Sequence, residues 1–458
     1  MVDQVPFGAA RERRHMAHRL RATATALLMG RGAGRAAAQT MLVRIVILGM
    51  NVLTGIISAR LLGAAGRGEQ TAIAMWPQLV PMCLTFGLPT ALIYGAKRAP
   101  QREGSLVAAA LMLGASGGVV AAALGYLTVP YWLGHLDSRV VLWSQVFMLV
   151  VPYGMISPLA QSIMEAHGKF AIENALIFAA ALSTMCLLVG LGVAGAANPV
   201  TVAMAYTVGG VPAGIAGIGY ATRLSRPAVR DLVPAARTLL HYGLRQYGSD
   251  LLAALSGNVD QFLVAGFLAP TMVGTYVVLA SLCRVLNLIQ QSIGVVLFPK
   301  IVGRPLHAMS EDVQRAVRVN VAISLLPTLI IGFGGARLIQ LVYGHDFIAT
   351  GIVIWLLLGD TLFGGISRLL AQTMMAAGRP GLVTLLNAVQ FVICIPLSLL
   401  LLPRYQMAGV AGAMFAGTTL RLILMIVSYS VILDLPRPQL VLSYSDLRFI
   451  YARLRAPG

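Results

Sequence analysis

The chain has 458 residues, 58% of them apolar and only 11% charged, with a mean hydropathy of +0.80. That balance excludes a water-solvated protein of this length, because most of such a surface must face lipid. The net charge of +18 raises nucleic acid as a partner, but the basic residues alternate from loop to loop, as membrane insertion requires, and nucleic acid is rejected.

Residues 1–37 form a basic arm with seven arginines and no apolar run of signal-peptide length, so it reads as uncleaved. Apolar runs of about 20 residues, each ended by charge or by Gly/Pro, then follow. They fall near 38–61, 71–96, 104–128, 140–164, 171–194, 199–221, 239–266, 271–299, 314–334, 350–376, 381–402 and 407–433. The expected fold is an all-α membrane protein of twelve transmembrane helices. Residues 38–221 make an N-terminal lobe, 222–238 a cytoplasmic linker, 239–433 a C-terminal lobe and 434–458 a cytoplasmic tail. The arm, the even-numbered loops and the tail hold most of the 34 Lys and Arg, which predicts that both termini are cytoplasmic.

The chain repeats itself. LAQSIMEAHGK at 159–169 pairs with LAQTMMAAGR at 370–379, and at an offset of 210 Gly134-His135 and Ile156-Ser157 match Gly344-His345 and Ile366-Ser367. At offset 206, Leu62 and Gly68 match Leu268 and Gly274. Six spans duplicated after an even number of crossings keep their orientation, so the two lobes are expected to be parallel repeats about an axis along the membrane normal.

Residues 59–95, ARLLGAAGRGEQTAIAMWPQLVPMCLTFGLPTALIYG, resemble the polysaccharide and oligosaccharide flippases of the multidrug/oligosaccharidyl-lipid/polysaccharide exporter superfamily. The likeness rests on Ala59, Arg60, Leu62, Gly63, Gly66, Gly68, Pro77, Pro81, Gly87 and Pro89, and on the QSIMEAHGK turn. It implies two six-helix lobes around a central cavity that opens alternately to either face. It also implies a cargo of oligosaccharide on polyprenyl diphosphate. Twelve spans differ from the fourteen of the peptidoglycan lipid-precursor branch.

Ionisable residues inside a membrane are costly and need a partner or a wet cavity. Arg44 and Asn51 share a polar stripe with Thr54 and Ser58, while Arg284, Asn287 and Gln291 lie on the eighth span and Arg368 on the tenth. These six are the candidate substrate ligands, because guanidinium groups match phosphate oxygens and amides match sugar hydroxyls. Structural ion pairs and snorkelling helix ends are the plainer alternative. Asp250, Asp260 and Asp360 are candidates for ion coupling or gating, or for pairing with an arginine. Offset 206 places Asp250 against Arg44 as such a pair. Arg421, with only Thr418 and Thr419 beside it, is read as structural.

Cys83, Cys186, Cys283 and Cys394 lack metal-ligand or disulfide spacing, and the literal GxGxxG at Gly190–Gly195 follows no strand, so neither metal nor cofactor is expected. The expected function is therefore a non-enzymatic flippase in the bacterial inner membrane, serving exopolysaccharide, capsule or O-antigen synthesis beside polymerase and export proteins. Two alternatives stay open. A drug/cation antiporter of the same superfamily would line its cavity with acids and aromatics, and a membrane-embedded glycosyltransferase or polymerase would need a larger loop than any here.

Overall fold

The computed structural model describes residues 33–287, 290, 293, 297, 306–347 and 351–440. Most of the predicted arm, Gln291 and the end of the tail lie outside these residues, as does the side chain of Asp250, so its pairing with Arg44 falls outside them too. Regular structure among the described residues is helical throughout. In order it comprises α1 (Ala33–Leu84), α2 (Leu88–Arg98), α3 (Glu103–Leu133), α4 (Ser138–Phe147), α5 (Val151–Ala166), α6 (Phe170–Val193) and α7 (Pro199–Val208). It continues with α8 (Val211–Ser225), α9 (Leu232–Ser256), α10 (Val259–Phe267), α11 (Pro270–Arg284), α12 (Leu306–Tyr343), α13 (Gly351–Ala376) and α14 (Pro380–Val431).

Helix overlaps every expected span, and eight stretches are long and apolar enough to cross a membrane. The protein is a multi-pass helical membrane protein. The eight differ from the expected twelve for a geometric reason. Helices α1 and α14 each run 52 residues, about 78 Å at 1.5 Å per residue, against a hydrocarbon core of about 30 Å. Each is broken by one non-helical residue, Gly63 (φ 64°) in α1 and Gln406 (φ 50°) in α14, so each holds two expected spans. The arms of α14 fold back antiparallel: Cys394 Sγ donates to the Ala413 carbonyl at 3.4 Å, and Gln390 donates to Thr418 at 2.8 Å. The seventh and eighth expected spans, carried by α9 to α11, are not among the eight.

Several crossings are discontinuous. Backbone groups freed inside lipid must find partners, and here they do. At the Gly209–Gly210 break Tyr153 Oη donates to the Gly210 carbonyl at 3.1 Å, and at the Gly257–Asn258 break Arg284 Nη2 donates to the Gly257 carbonyl at 3.2 Å. Arg60 closes a helix end instead, donating to the carbonyls of Leu341 and Val342 at 2.6 and 2.7 Å, where its charge complements the C-terminus of α12.

Two contacts bear on the duplication. Gly168 (φ 67°) and Gly378 (φ 74°) end α5 and α13 in the left-handed conformation that glycine adopts without a Cβ clash. The same bonds follow 210 residues apart: Lys169 N–H to the Met164 carbonyl at 2.8 Å, and Arg379 N–H to the Met374 carbonyl at 2.9 Å. At offset 206 the relation is reciprocal. A Cβ on Gly68 would lie 1.8 Å from the Pro270 carbonyl oxygen, and one on Gly274 would lie 2.0 Å from that of Ala64. Since 206 positions separate both Gly68 from Gly274 and Ala64 from Pro270, exchanging the members leaves the contact unchanged. A two-fold contact has this property.

Candidate functional site

A cavity of about 530 Å3 opens among the α9–α10 break, α11, α13 and both arms of α14. Its wall carries three guanidinium groups, Arg284, Arg368 and Arg421, against two carboxyl groups, Asp260 and Asp360. All of these side chains come from helices that are otherwise apolar, which is why they turn inward: the alternative is lipid.

Most of the cations are held by neutral partners. Arg368 Nη2 donates to Asn287 Oδ1 and Gln290 Oε1, both at 2.5 Å, and Arg421 Nη1 donates to Asn387 Oδ1 at 3.1 Å. Among the described residues neither contacts a carboxylate, although Asp360 lies within electrostatic reach of both, whereas Arg284 lies 3.8 Å from Asp260. With its amide oxygen facing Arg284, Gln261 accepts from both terminal guanidinium nitrogens at 2.7 and 2.9 Å. Asp260 sits in the first turn of α10, where the helix dipole favours a negative charge, and accepts from Tyr276 Oη at 3.2 Å. Asp360 accepts from Thr418 Oγ1 at 2.5 Å, and Thr418 accepts in turn from Gln390. Amides orient a guanidinium without cancelling its charge, so the attraction to an incoming anion survives in a medium of low dielectric.

Backbone packing allows this convergence. Gln290 lies so close to α13 that a Cβ on Gly365 would sit 2.0 Å from its Cδ. A Cβ on neighbouring Gly364 would lie 4.0 Å from both Arg368 Nη1 and Arg421 Nη2. The two guanidinium groups therefore flank one glycine.

Of the nine candidates from sequence, Arg284, Asn287, Arg368, Asp260 and Asp360 share this cavity. Arg44 and Asn51 do not line it; both are exposed on α1, and Arg44 lies within electrostatic reach of Glu173 on α6. The cavity lies within the C-terminal half and not at the centre between lobes, because α13 and the α14 hairpin supply its polar wall. Arg421, read from sequence as structural, lines it with Asn387 and Gln390, which sequence reasoning passed over, and Gln290, also passed over, holds Arg368. Asn387 and Gln390, three apart in an apolar run, were the available signal.

Two of the smaller cavities carry polar walls of their own. One of about 260 Å3 lies on the seam between the halves, walled by Arg67, Gln70 and Gln78 of α1, Tyr206 of α7, and Asn258 and Gln261 at the α9–α10 break. The other, of about 190 Å3, lies in the N-terminal half and includes Tyr153, Ser157, Gln161 and Glu173. Among the described residues no group of three or more His, Cys, Asp or Glu is placed to hold a metal ion.

Residues 33–303 match the family described as polysaccharide biosynthesis protein. A stretch of 196 residues, 42% of the chain, is 19% identical to the probable low-salt glycan biosynthesis flippase Agl15 of Haloferax volcanii, and spans only 41% of that protein's length. Among solved structures, an inward-facing multidrug resistance transporter of the MATE family in the MOP superfamily superposes with a TM-score of 0.65 at 12% identity, covering 91% of this chain and all of that one. The lipid II flippase MurJ in an inward closed conformation gives 0.63 at 11% identity, covering 90% of this chain and 94% of its own. At such identities the likeness establishes the fold.

Proposed function

The chain belongs to the polysaccharide biosynthesis protein family, and from that premise we propose that it is a flippase for an oligosaccharide linked to polyprenyl diphosphate. It moves this cargo from the cytoplasmic to the periplasmic leaflet of the inner membrane by alternating access. The observation that carries the reading is the pair Arg368 and Arg421, which flank Gly364, are hydrogen-bonded to amide oxygens and, with Arg284, outnumber the two carboxyl groups of the cavity wall. A diphosphate suits this pair, since its oxygens accept paired N–H bonds from planar guanidinium groups. Arg284, poised at the helix break, is the third ligand, and Asn287, Asn387 and Gln390 offer amides to the headgroup or first sugar.

The basic loops assign the face bearing 99–102, 167–169, 226–231 and 377–379 to the cytoplasm, and both termini with it. The cavity reaches toward that face through Met375, Val383 and Met425, where a carrier made in the cytoplasmic leaflet would enter. Asp360, held by Thr418, is the residue proposed to bind the coupling ion or to gate. The glycan then serves exopolysaccharide, capsule or O-antigen synthesis, with polymerase and export proteins downstream. A drug/cation antiporter shares the fold, but three guanidinium groups repel a cationic drug, and the anionic cargo is favoured.

Lipid analysis of a deletion strain tests the reading. Polyprenyl-diphosphate oligosaccharide is expected to accumulate on the cytoplasmic leaflet; unchanged lipid-linked glycan and normal surface polysaccharide would reject it.

A further inference from the structure

The seam pocket contains a cation that the mechanism above does not use. Arg67 lies four residues beyond the Gly63 break, toward the face opposite the basic loops. It donates to the Gln70 side chain, and its guanidinium sits over the Tyr206 ring at 5.6 Å from the centroid. Among the described residues it forms no ion pair with a carboxylate, and none of them accepts from its buried Nε. A guanidinium in a pocket, with a donor to spare, is further stabilised when an anion visits.

The seam pocket also adjoins the larger cavity through one pair of side chains. Gln261 lines the seam pocket and accepts from both terminal nitrogens of Arg284, while Arg284 lines the larger cavity. An anion leaving Arg368 and Arg421 therefore meets Arg284 at the helix break, and Gln261 beside Arg284 belongs to the pocket that Arg67 lines. The remaining wall suits the same traveller: Gln70, Gln78 and Asn258 offer amides, and Tyr206 offers a ring. A volume of about 260 Å3 takes a headgroup and not a whole glycan.

We propose that the seam pocket is a second anion station, where Arg67 takes the diphosphate headgroup from Arg284 on its way to the far face. This rests on the flippase reading, which supplies the diphosphate. Handing the charge from one guanidinium to the next avoids a stretch of membrane in which it has no partner. It also gives the second half of the crossing a binding step on the seam between the halves, whereas the first lies in the C-terminal half.

Titration calorimetry of the full-length protein in detergent with farnesyl diphosphate tests this. Two sites per chain are expected, with Arg67→Gln removing one and Arg368→Gln the other. Arg67→Lys should keep both, the seam site at least tenfold weaker, with an unchanged melting midpoint. A single site that survives Arg67→Gln and is lost in Arg368→Gln overturns the second station and leaves the flippase reading standing; no binding in the wild type overturns both. Should Arg67→Gln fail to fold, Gln78→Cys on the pocket wall reports instead. Its alkylation by maleimide, above the background of the native cysteines, should be slowed at least fivefold by farnesyl diphosphate and not by farnesol. Equal rates with and without the diphosphate would overturn the station.

Discussion

The two halves carry cavities at corresponding places, with different chemistry. Ser157, Gln161, Glu173, Ile177 and Ala180 line the cavity of about 190 Å3 in the N-terminal half. At the offset of 210 that the two turn hydrogen bonds keep, one less than the 211 that pairs the LAQ runs, Ser367, Ala371, Val383, Asn387 and Gln390 line the cavity of about 530 Å3 in the other half. Pro158 stands where Arg368 does, and Glu173, which is almost wholly buried, stands where Val383 does. In the N-terminal half Tyr153 and a glycine face of α8 narrow the space, since a Cβ on Gly214 would lie 1.8 Å from Tyr153 Oη. The backbone plan is thus shared while the wall is not: turns and close helix contacts tolerate few residue types, but a cavity wall accepts any side chain that its ligand stabilises.

The largest expected effect separates the two walls. Arg368→Ala and Arg421→Ala should each lower glycan export about 10- to 100-fold at wild-type abundance, the worth of a lost hydrogen bond to a charged group at about 1.5–3 kcal/mol. Lysine should restore export only in part, because the fork is lost. Export at wild-type rates in either alanine variant, measured as surface polysaccharide per molecule of the protein, would remove that arginine from the site.

Next comes the contact that the halves share. Gly68→Ala and Gly274→Ala should each destabilise the protein by about 1–3 kcal/mol through overpacking, and by similar amounts, because each meets the other half's carbonyl. Thermal unfolding in detergent measures both; a cost at one glycine alone would break the two-fold relation.

Gly365→Ala is a subtler test of the C-terminal wall. An exposed helical glycine gains about 0.5–1 kcal/mol on becoming alanine, but here the new Cβ displaces Gln290 and loosens Arg368. Diphosphate affinity should fall several-fold with little change in melting midpoint, and an unchanged affinity would show that Gln290 does not orient Arg368. The smallest effect is expected on the N-terminal wall, where Ser157→Ala and Gln161→Ala should leave export within about twofold, the range of surface-like substitutions. A loss there comparable to Arg368→Ala would mean that both cavities carry cargo.

The sequence by itself determined the class of the protein and most of its plan. Hydropathy, the alternation of basic loops, the twin turns at Gly168 and Gly378, and the glycines 68 and 274 are local signals, because lipid and tight backbone contacts act on each residue where it stands. It also singled out Arg284, Arg368, Asp260 and Asp360 as membrane-embedded charges, since their cost is independent of neighbours. Only the tertiary structure decided which of them meet. Arg421 finds Asn387 across a hairpin 34 residues long, Arg368 reaches Gln290 across 78, and Arg44 stays outside the cavity despite its polar stripe. A polar face read along one helix does not say what stands opposite. That depends on where Gly63 and Gln406 turn the chain and how closely Gly365 lets Gln290 approach, which are properties of packing between helices distant in sequence.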